Sequence, residues 1–248
     1  MTGIFTRLKP VALKTKKIFL FAAALSIQLS FAQFAKVVDK DGYVNVRKNA
    51  DAKSNIVGKI NSGEILYIFS EDANESWLNI DYNTEKEKPL TGYVHRSRVK
   101  FIESYDEIPS TEKNANKGVF MSGNIKVNIV SGPFDYSQHK KDFSSAKHGD
   151  NQQLEKYKGQ EIWGTDGLIP KTYYESITVQ IGNKTIQIPQ KEIENLFNGD
   201  TAATHCYFDV NNDMLYITMN NSEGAGAYVA LFIVEKGKYK GRVLALPF

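Results

Sequence analysis

Short strand-like runs separated by turn residues fill the chain from about residue 34 to residue 104. The run Tyr43–Arg47 alternates in side-chain character, which is typical of a strand with one buried face. The run 64–69 is almost continuously apolar and follows a turn at 61–63. Strands this short and this regularly spaced predict a small barrel or sandwich.

The same stretch resembles the bacterial SH3 domain in the order and spacing of its motifs. The resemblance rests on Val44-Asn45-Val46-Arg47, Ile56-Val57-Gly58 with Ile60, Gly63-Glu64, Trp77 with Ile80, and Gly92-Tyr93-Val94-His95 before Val99. It implies a small, strongly bent β-barrel that acts as a targeting or interaction module, often toward cell-wall peptidoglycan or its peptides. The sequence departs from the family pattern at a long charged loop, 83–89, and lacks the common Gly-Pro after Arg47.

Four residues of this unit are candidate binding residues: Tyr43, Arg47, Trp77 and Tyr93. Aromatic rings that carry a polar group can flank a groove and stack on a sugar or a peptide. The alternative is that Trp77 and Tyr93 fill the barrel core and its corner. Arg47 pairs either with a carboxylate of a ligand or, within the fold, with Glu64 or Asp81.

The first 32 residues have the pattern of a secretory signal peptide. Three lysines within 14–17 precede an apolar run, 18–29, and small residues occupy the −3 and −1 positions of a cleavage after Ala32. The run is shorter than the roughly 20 apolar residues that a bilayer-spanning helix needs, and an uncleaved membrane anchor is the alternative. We therefore predict export, with no membrane span after cleavage.

The cysteine content narrows the predicted location of the protein, and the charge narrows its possible ligands. Cys206 is the only cysteine, so no intramolecular disulfide can form, which fits a bacterial periplasm or exterior better than eukaryotic secretion. The net charge of +3 lies in the predicted leader; beyond residue 32, basic residues number 26 against 28 acidic ones. No basic stripe remains for binding nucleic acid.

The rest of the chain is also predicted to be β-rich. Residues 105–117 are polar and predict a linker, and residues 118–248 predict a second, mostly antiparallel domain of unknown function. Its clearest hairpin spans 177–188, and Pro189 followed by helical spacing over 190–197 predicts a short helix. The fold class is therefore mainly β, a small SH3-like barrel followed by a β-rich domain with one or two short helices.

Turn, aromatic and polar residues are densest in the second unit between residues 163 and 174. Trp163, Asp166 and Tyr173 are the candidate binding residues there, because binding groups concentrate on loops held by a rigid scaffold. The alternative is a tight turn packed by Trp163.

Catalytic and metal-binding patterns were sought and give no candidate. Cys206 follows His205 on an apparent strand, where neighbouring side chains face opposite ways, so we predict a buried structural thiol. The four histidines lack the spacing of a zinc site. We predict no catalytic residue, no metal and no cofactor.

Three functions remain as hypotheses. The first is an exported, non-catalytic binding protein of the bacterial envelope whose SH3-like module contacts cell-wall peptidoglycan, its peptide or an envelope protein. The second is an inhibitor or immunity-type protein that caps a secreted enzyme or toxin. The third is a peptidoglycan hydrolase with an unrecognised active site. The oligomeric state is not predicted.

Overall fold

The computed structural model describes residues 31–70, 75–83 and 89–247. The predicted signal peptide lies outside the described residues except for its last two positions, and so does most of the charged loop 83–89. Within the described ranges, no helix has the length and apolar character needed to cross a membrane.

The first unit is a single antiparallel sheet that curls around its own core. Its strands are β1 (Phe31–Val37), β2 (Tyr43–Arg47), β3 (Ile56–Asn61), β4 (Ile65–Ser70), β5 (Trp77–Tyr82), β6 (Leu90–His95) and β7 (Val99–Phe101). They pair in the order β3-β2-β6-β5-β4-β1-β7. Buried side chains from all seven strands form one cluster, which includes Val46, Leu66 and Val94. Strands at both ends of one sheet can share a core only if the sheet bends, which confirms the predicted small barrel.

The second unit is a sandwich of two five-stranded sheets with a smaller sheet beside it. Its strands are β8 (Asp106–Ile108), β9 (Ser110–Lys113), β10 (Lys117–Ser122), β11 (Ile125–Pro133), β12 (Phe143–His148), β13 (Asn151–Tyr157), β14 (Gln160–Glu161), β15 (Thr172–Ile181), β16 (Lys184–Gln187), β17 (Thr204–Asp209), β18 (Met214–Asn221), β19 (Tyr228–Glu235) and β20 (Lys238–Ala245). The sheet orders are β16-β15-β11-β10-β9, β20-β19-β18-β17-β8 and β12-β13-β14. One core takes Val127 and Ile177 from the first sheet and Ile217 and Phe232 from the second.

The hairpin predicted at 177–188 is confirmed. β15 and β16 pair antiparallel, with Ile181 opposite Lys184. Gly182 in the turn has a φ of 57°, a left-handed conformation that glycine adopts without a steric penalty.

The helix predicted at 190–197 is wrong. Only a 3₁₀ turn, Gln190–Glu192, forms there, and the α-helix of the described chain is the short α1 (Tyr136–His139). The backbone N–H of Phe197 donates to the carbonyl of Trp163, and the N–H of Trp163 donates to the carbonyl of Asn195. These bonds to a neighbouring segment replace the helical ones, so tertiary pairing overrides local propensity.

The segment predicted to be a linker, 105–117, contributes two strands to the second unit. β8 pairs with β17, placing Ile108 opposite Cys206, and β9 pairs with β10. Ile108 is buried in the sandwich core. Both strands are short and polar and lie at sheet edges, which is why the sequence looks like a connection.

The two units meet through strands that are apolar on both faces. In β19, Phe232 packs in the sandwich core, whereas its neighbour Leu231 packs against the first unit. In β4, Ile68 lies in the barrel core and Tyr67 faces the second unit. Because neighbouring side chains of a strand point to opposite faces, both strands are covered on both sides. The continuous apolar run at 65–69 marks this contact.

The buried side chains shared by the two units form what we call the interface cluster. Its members are Phe34, Ile65, Tyr67, Ile102, Tyr207, Tyr216, Val229, Leu231 and Ala245. At its edge, the Tyr105 ring stacks on Tyr216 with centroids 5.4 Å apart. Lys36 Nζ lies 3.9 Å from the buried carboxylate of Asp209. Stacking and a part-buried ion pair thus fix the orientation of an otherwise apolar contact.

Leu231→Ala tests whether the interface cluster couples the units. Leu231 is fully buried, and removing such a side chain costs about 2–5 kcal/mol. We expect one cooperative urea transition for the wild-type chain and a free energy of unfolding lower by that amount in the variant. Leu246→Ala, at a half-exposed leucine, is the control and should change stability by less than about 0.5 kcal/mol. Two separate wild-type transitions would contradict the coupling.

Alkaline pH should weaken the same contact through Tyr105. Burial raises the pKa of the Tyr105 phenol to about 12, and the charge of Asp209 acts in the same direction. A raised pKa in the folded state means that this stability is complete below the ordinary value of 10.0 and is lost as the pH rises toward about 12. Tyr105→Phe should therefore flatten the fall of unfolding free energy over that range, measured by urea denaturation. Tyr136→Phe, outside the interface, should leave it unchanged; equal slopes for wild type and Tyr105→Phe would contradict the prediction.

Candidate functional site: an aromatic cleft in the first unit

A cleft of about 360 Å³ opens on the outer side of the barrel. It is lined by Asp39, Asp41, Tyr43, Val44, Asn45, Arg47, Ala52, Trp77, His95, Ser97 and Arg98. The alternation of β2 explains part of this set, because Val44 and Val46 are buried in the barrel. The intervening side chains of Tyr43, Asn45 and Arg47 therefore share the opposite face. The volume is in the usual range for a ligand site.

Trp77 forms one wall of the cleft and holds two neighbours. The guanidinium carbon of Arg47 lies 6.0 Å from the centre of the Trp77 ring, a cation–π distance. The ring of His95, opposite Trp77 in the β5–β6 pair, meets it edge-on with centroids 5.2 Å apart. The backbone N–H of Ser97 donates to Nδ1 of His95. Nδ1 is therefore the acceptor, and the neutral ring carries its proton on Nε2.

Arg47 is anchored by a backbone group and not by a carboxylate. Its Nη1 donates to the carbonyl oxygen of Ser54 over 2.7 Å. The ion pairs expected within the fold do not form: among the described residues, Glu64 accepts from Tyr82, and no salt bridge joins Arg47 to Glu64 or Asp81. The positive charge of Arg47 therefore faces the cleft without an acidic partner in the described chain.

The two acidic groups of the cleft, Asp39 and Asp41, pair with one arginine, Arg98, on its other side. Nη1 of Arg98 lies 2.8 Å from both oxygens of Asp39, whose side chain is only 5% exposed. The same nitrogen lies 3.8 Å from the carboxylate of Asp41. Asp39 also accepts from the backbone N–H of Asp41, which ties the turn before β2 to the cleft rim. This pairing leaves Arg47 as the cation available to a ligand.

Two further side chains bear on the cleft. Lys59 does not line it, but its Nζ lies 3.8 Å from the centre of the Tyr43 ring. Oδ1 of Asn45 is buried and has no hydrogen-bond partner in the described structure. A buried acceptor without a donor is costly, so this position lowers the stability of the fold.

The candidate residues predicted from the sequence separate into two regions. Tyr43, Arg47 and Trp77 line the cleft together. Tyr93 lies opposite Arg47 on β6 but does not line the cleft. Trp77 and Tyr93 are half-buried and stand outside the buried core cluster of the barrel, so neither fills that core.

The second-unit candidates lie apart from this cleft. The half-buried Trp163 packs toward the sandwich core, with its ring 6.1 Å from that of Tyr228. Asp166 is an exposed turn residue with a φ of 50°. Tyr173 meets Phe134 edge-on, with centroids 5.6 Å apart. Trp163 thus packs as expected of a tight turn, and a ligand site at these three residues stays a prediction.

Eight of the eleven residues that line the cleft were not predicted as site residues, among them Asp39, Asn45, His95 and Arg98. Asn45 and His95 belong to the motifs that carry the family resemblance, which was a usable signal. Asp39 and Arg98 are far apart in sequence and are joined only when β7 pairs with β1.

The described ranges bring together neither a metal-binding cluster nor a thiol with its base. No group of three or more histidines, cysteines or acidic residues in the described ranges is placed to hold a metal ion. Cys206 is fully buried and His205 is exposed, so the two side chains lie on opposite faces of β17, as predicted. Burial raises the pKa of the Cys206 thiol well above its ordinary value, which disfavours the nucleophilic thiolate.

Comparison with known proteins adds one finding. Residues 42–100 match the family model described as the bacterial SH3 domain. The match confirms the resemblance drawn from the motifs and includes Tyr43, Arg47 and Trp77. No curated protein and no solved structure matches the chain.

Cys206 should be chemically silent in the folded protein. Because the thiol is buried and its pKa is raised, we expect no reaction with a water-soluble aromatic disulfide in native buffer and complete reaction of one thiol in denaturant. His205→Ala is the control and should leave the native rate unchanged. A fast native reaction that slows in His205→Ala would instead indicate an activated nucleophile.

Proposed function

We propose that this protein is an exported binding protein of the bacterial envelope whose first-unit cleft binds a carboxylate-bearing peptide of the cell wall. The match of residues 42–100 to the bacterial SH3 domain indicates a module that binds the cell wall or a protein. The observation that carries the finer proposal is Arg47, held against Trp77 in an open cleft without an acidic partner among the described residues.

A guanidinium and an indole ring suit a peptide with a free carboxylate. Arginine binds carboxylates through two parallel N–H groups, and such charge-assisted hydrogen bonds are stronger than neutral ones. Nη1 of Arg47 already donates to Ser54, which orients the guanidinium before the ligand arrives. Trp77 and Tyr43 add flat apolar surface for aliphatic parts of a peptide. Preorganisation of this kind reduces the entropy lost on binding.

Export and location belong to the same proposal. The lysine-rich start, the apolar run and the cleavage pattern before Gln33 support release into the periplasm or outside the cell. The second unit supports the module as a rigid base, because the interface cluster buries Tyr67 of the barrel against Leu231 of the sandwich.

Capping of another protein is the second candidate, and one observation favours it. Leu168 and Ile169 are 68% and 58% exposed in the loop of the second unit that also holds Asp166. Adjacent exposed apolar side chains are frequent at protein interfaces. Co-purification of one specific protein that is lost in the double variant Leu168→Ser and Ile169→Ser, but kept in Arg47→Gln, would favour this candidate over wall binding.

Arg47→Gln is the test of the cleft. We expect residues 33–248 to be retained on purified sacculi and to be displaced by a soluble cell-wall stem peptide. The variant should bind about 10- to 100-fold more weakly, because a hydrogen bond to a charged group contributes about 1.5–3 kcal/mol and each ~1.4 kcal/mol is tenfold. The measurement is the bound fraction over a concentration series.

Arg96→Gln is the matched control for this experiment. Its guanidinium lies 4.7 Å from the centre of the Phe101 ring and does not line the cleft, so it removes the same charge elsewhere and should bind as the wild type does. The stem peptide with its carboxylates amidated should fail to displace the protein. Equal retention of both variants and the wild type would overturn the proposal.

A further inference from the structure

A second cleft, of about 480 Å³, lies in the second unit where β18, β19 and the segment 198–203 meet. It shares no lining residue with the first-unit cleft. Asn221, from the end of β18, forms part of its wall and is only 2% exposed. Nothing in the proposed function uses this cleft.

The amide of Asn221 has one end satisfied and one end free. Its Oδ1 accepts from the phenol of Tyr174 over 2.6 Å and from the backbone N–H of Asp200 over 3.0 Å. A backbone N–H can only donate, so this end of the amide must be the oxygen. Nδ2 is buried and has no hydrogen-bond partner in the described chain. Nδ2 has almost no accessible surface, so it reaches an acceptor in the cleft by a small movement of the side chain, which removes the cost of an unpaired buried donor.

The charge of the cleft limits which ligands can bring that acceptor. Asp200 and Glu223 line it, and no lysine, arginine or histidine does. Two carboxylates disfavour an anionic ligand by like-charge repulsion. An ammonium ligand would suit the carboxylates, but it has only donors and leaves Nδ2 of Asn221 unsatisfied. A hydroxyl group both donates and accepts, so it can pair with the carboxylates and with Nδ2 of Asn221.

The rest of the wall is rigid and partly apolar. Asn198 and Ser222 have left-handed backbones, with φ values of 50° and 59°. Both side chains donate to the same carbonyl oxygen, that of Gly164, over 2.7 and 3.1 Å. Non-glycine residues in this conformation are strained and cluster at ligand sites. Ala227 and Pro247, both part-exposed, supply aliphatic surface.

We propose that this cleft binds a neutral saccharide, with Nδ2 of Asn221 donating to a sugar oxygen and the carboxylates of Asp200 and Glu223 accepting from sugar hydroxyls. The C–H faces of the sugar ring then pack on Ala227 and Pro247. The site is independent of the first-unit cleft, so it stands or fails separately from peptide binding at Arg47.

The test is an NMR titration of residues 33–248 with the trisaccharide of N-acetylglucosamine. We expect the side-chain amide signal of Asn221 and the backbone signals of 198–203 to shift in a saturable way. Arg47→Gln should show the same shifts, which separates this site from the proposed wall-peptide site. An uncharged tripeptide amide and a diamine are the comparison ligands.

Ala203→Phe and Ala202→Phe form a matched pair that leaves the buried amide intact. Both alanines lie in the 3₁₀ turn Thr201–Ala203, but only Ala203 lines the cleft, whereas Ala202 is exposed outside it. Ala203→Phe should weaken saccharide binding at least tenfold, and Ala202→Phe should bind as the wild type does. Thermal melting of both variants shows whether the fold is kept.

Asn221→Asp then tests the donor itself, and the loss should again be at least tenfold, because the new carboxylate cannot donate. Three results would overturn the proposal: no saturable shift with the trisaccharide, equal binding by Ala203→Phe and Ala202→Phe, or binding of the tripeptide amide or the diamine in preference to the sugar.

Discussion

The structure depends on one sheet that is buried on both faces. The inner face of β17–β20 packs on the other sheet of the sandwich, and its outer face packs on β1 and β4 of the barrel. Hydrophobic burial scales with the apolar area removed from water, so a sheet covered twice gains on both sides. Among the described strands, none of the barrel pairs with one of the sandwich. The side-chain contact of the interface cluster is therefore what joins the two units.

This arrangement leaves the binding surface of the barrel free. In the sheet order of the first unit, the interface strands β4 and β1 are neighbours, and the cleft strands β2, β6 and β5 lie together beside them. Tyr67 and Phe34 are therefore used for cohesion, whereas Tyr43 and Trp77 remain at the cleft. The aromatic residues of the barrel thus have two roles, and each role belongs to different strands. A ligand in the cleft binds strands other than β1 and β4, which contact the second unit.

The sequence predicted the strands of the barrel and three of the residues that line its cleft, because alternation and motif spacing are local properties. Tyr43 and Arg47 lie on the same face of β2, as the alternation of that strand requires. The pairing of Arg98 with Asp39 could not be predicted, since it depends on a long-range strand contact. The run at 65–69 carried a signal of the interface, but a continuous apolar strand indicates burial on both faces without naming the partner. The wrong prediction of a helix at 190–197 also arose because a buried pattern does not name its partner. Ile193, Leu196 and Phe197 are buried as the spacing predicts, but neighbouring strand segments cover them.

The late position of β17–β20 in the chain bears on the order in which the two units can fold. All strands of the barrel are close in sequence, so the barrel can close while the rest of the chain is still being made. The outer face of β1 and β4, with Phe34 and Tyr67, stays uncovered until β17–β20 arrive at the far end of the chain. A newly made barrel therefore carries an apolar surface that chaperones or a second chain can bind. Truncations near the C-terminus should for this reason produce an aggregating protein, not a shorter functional one.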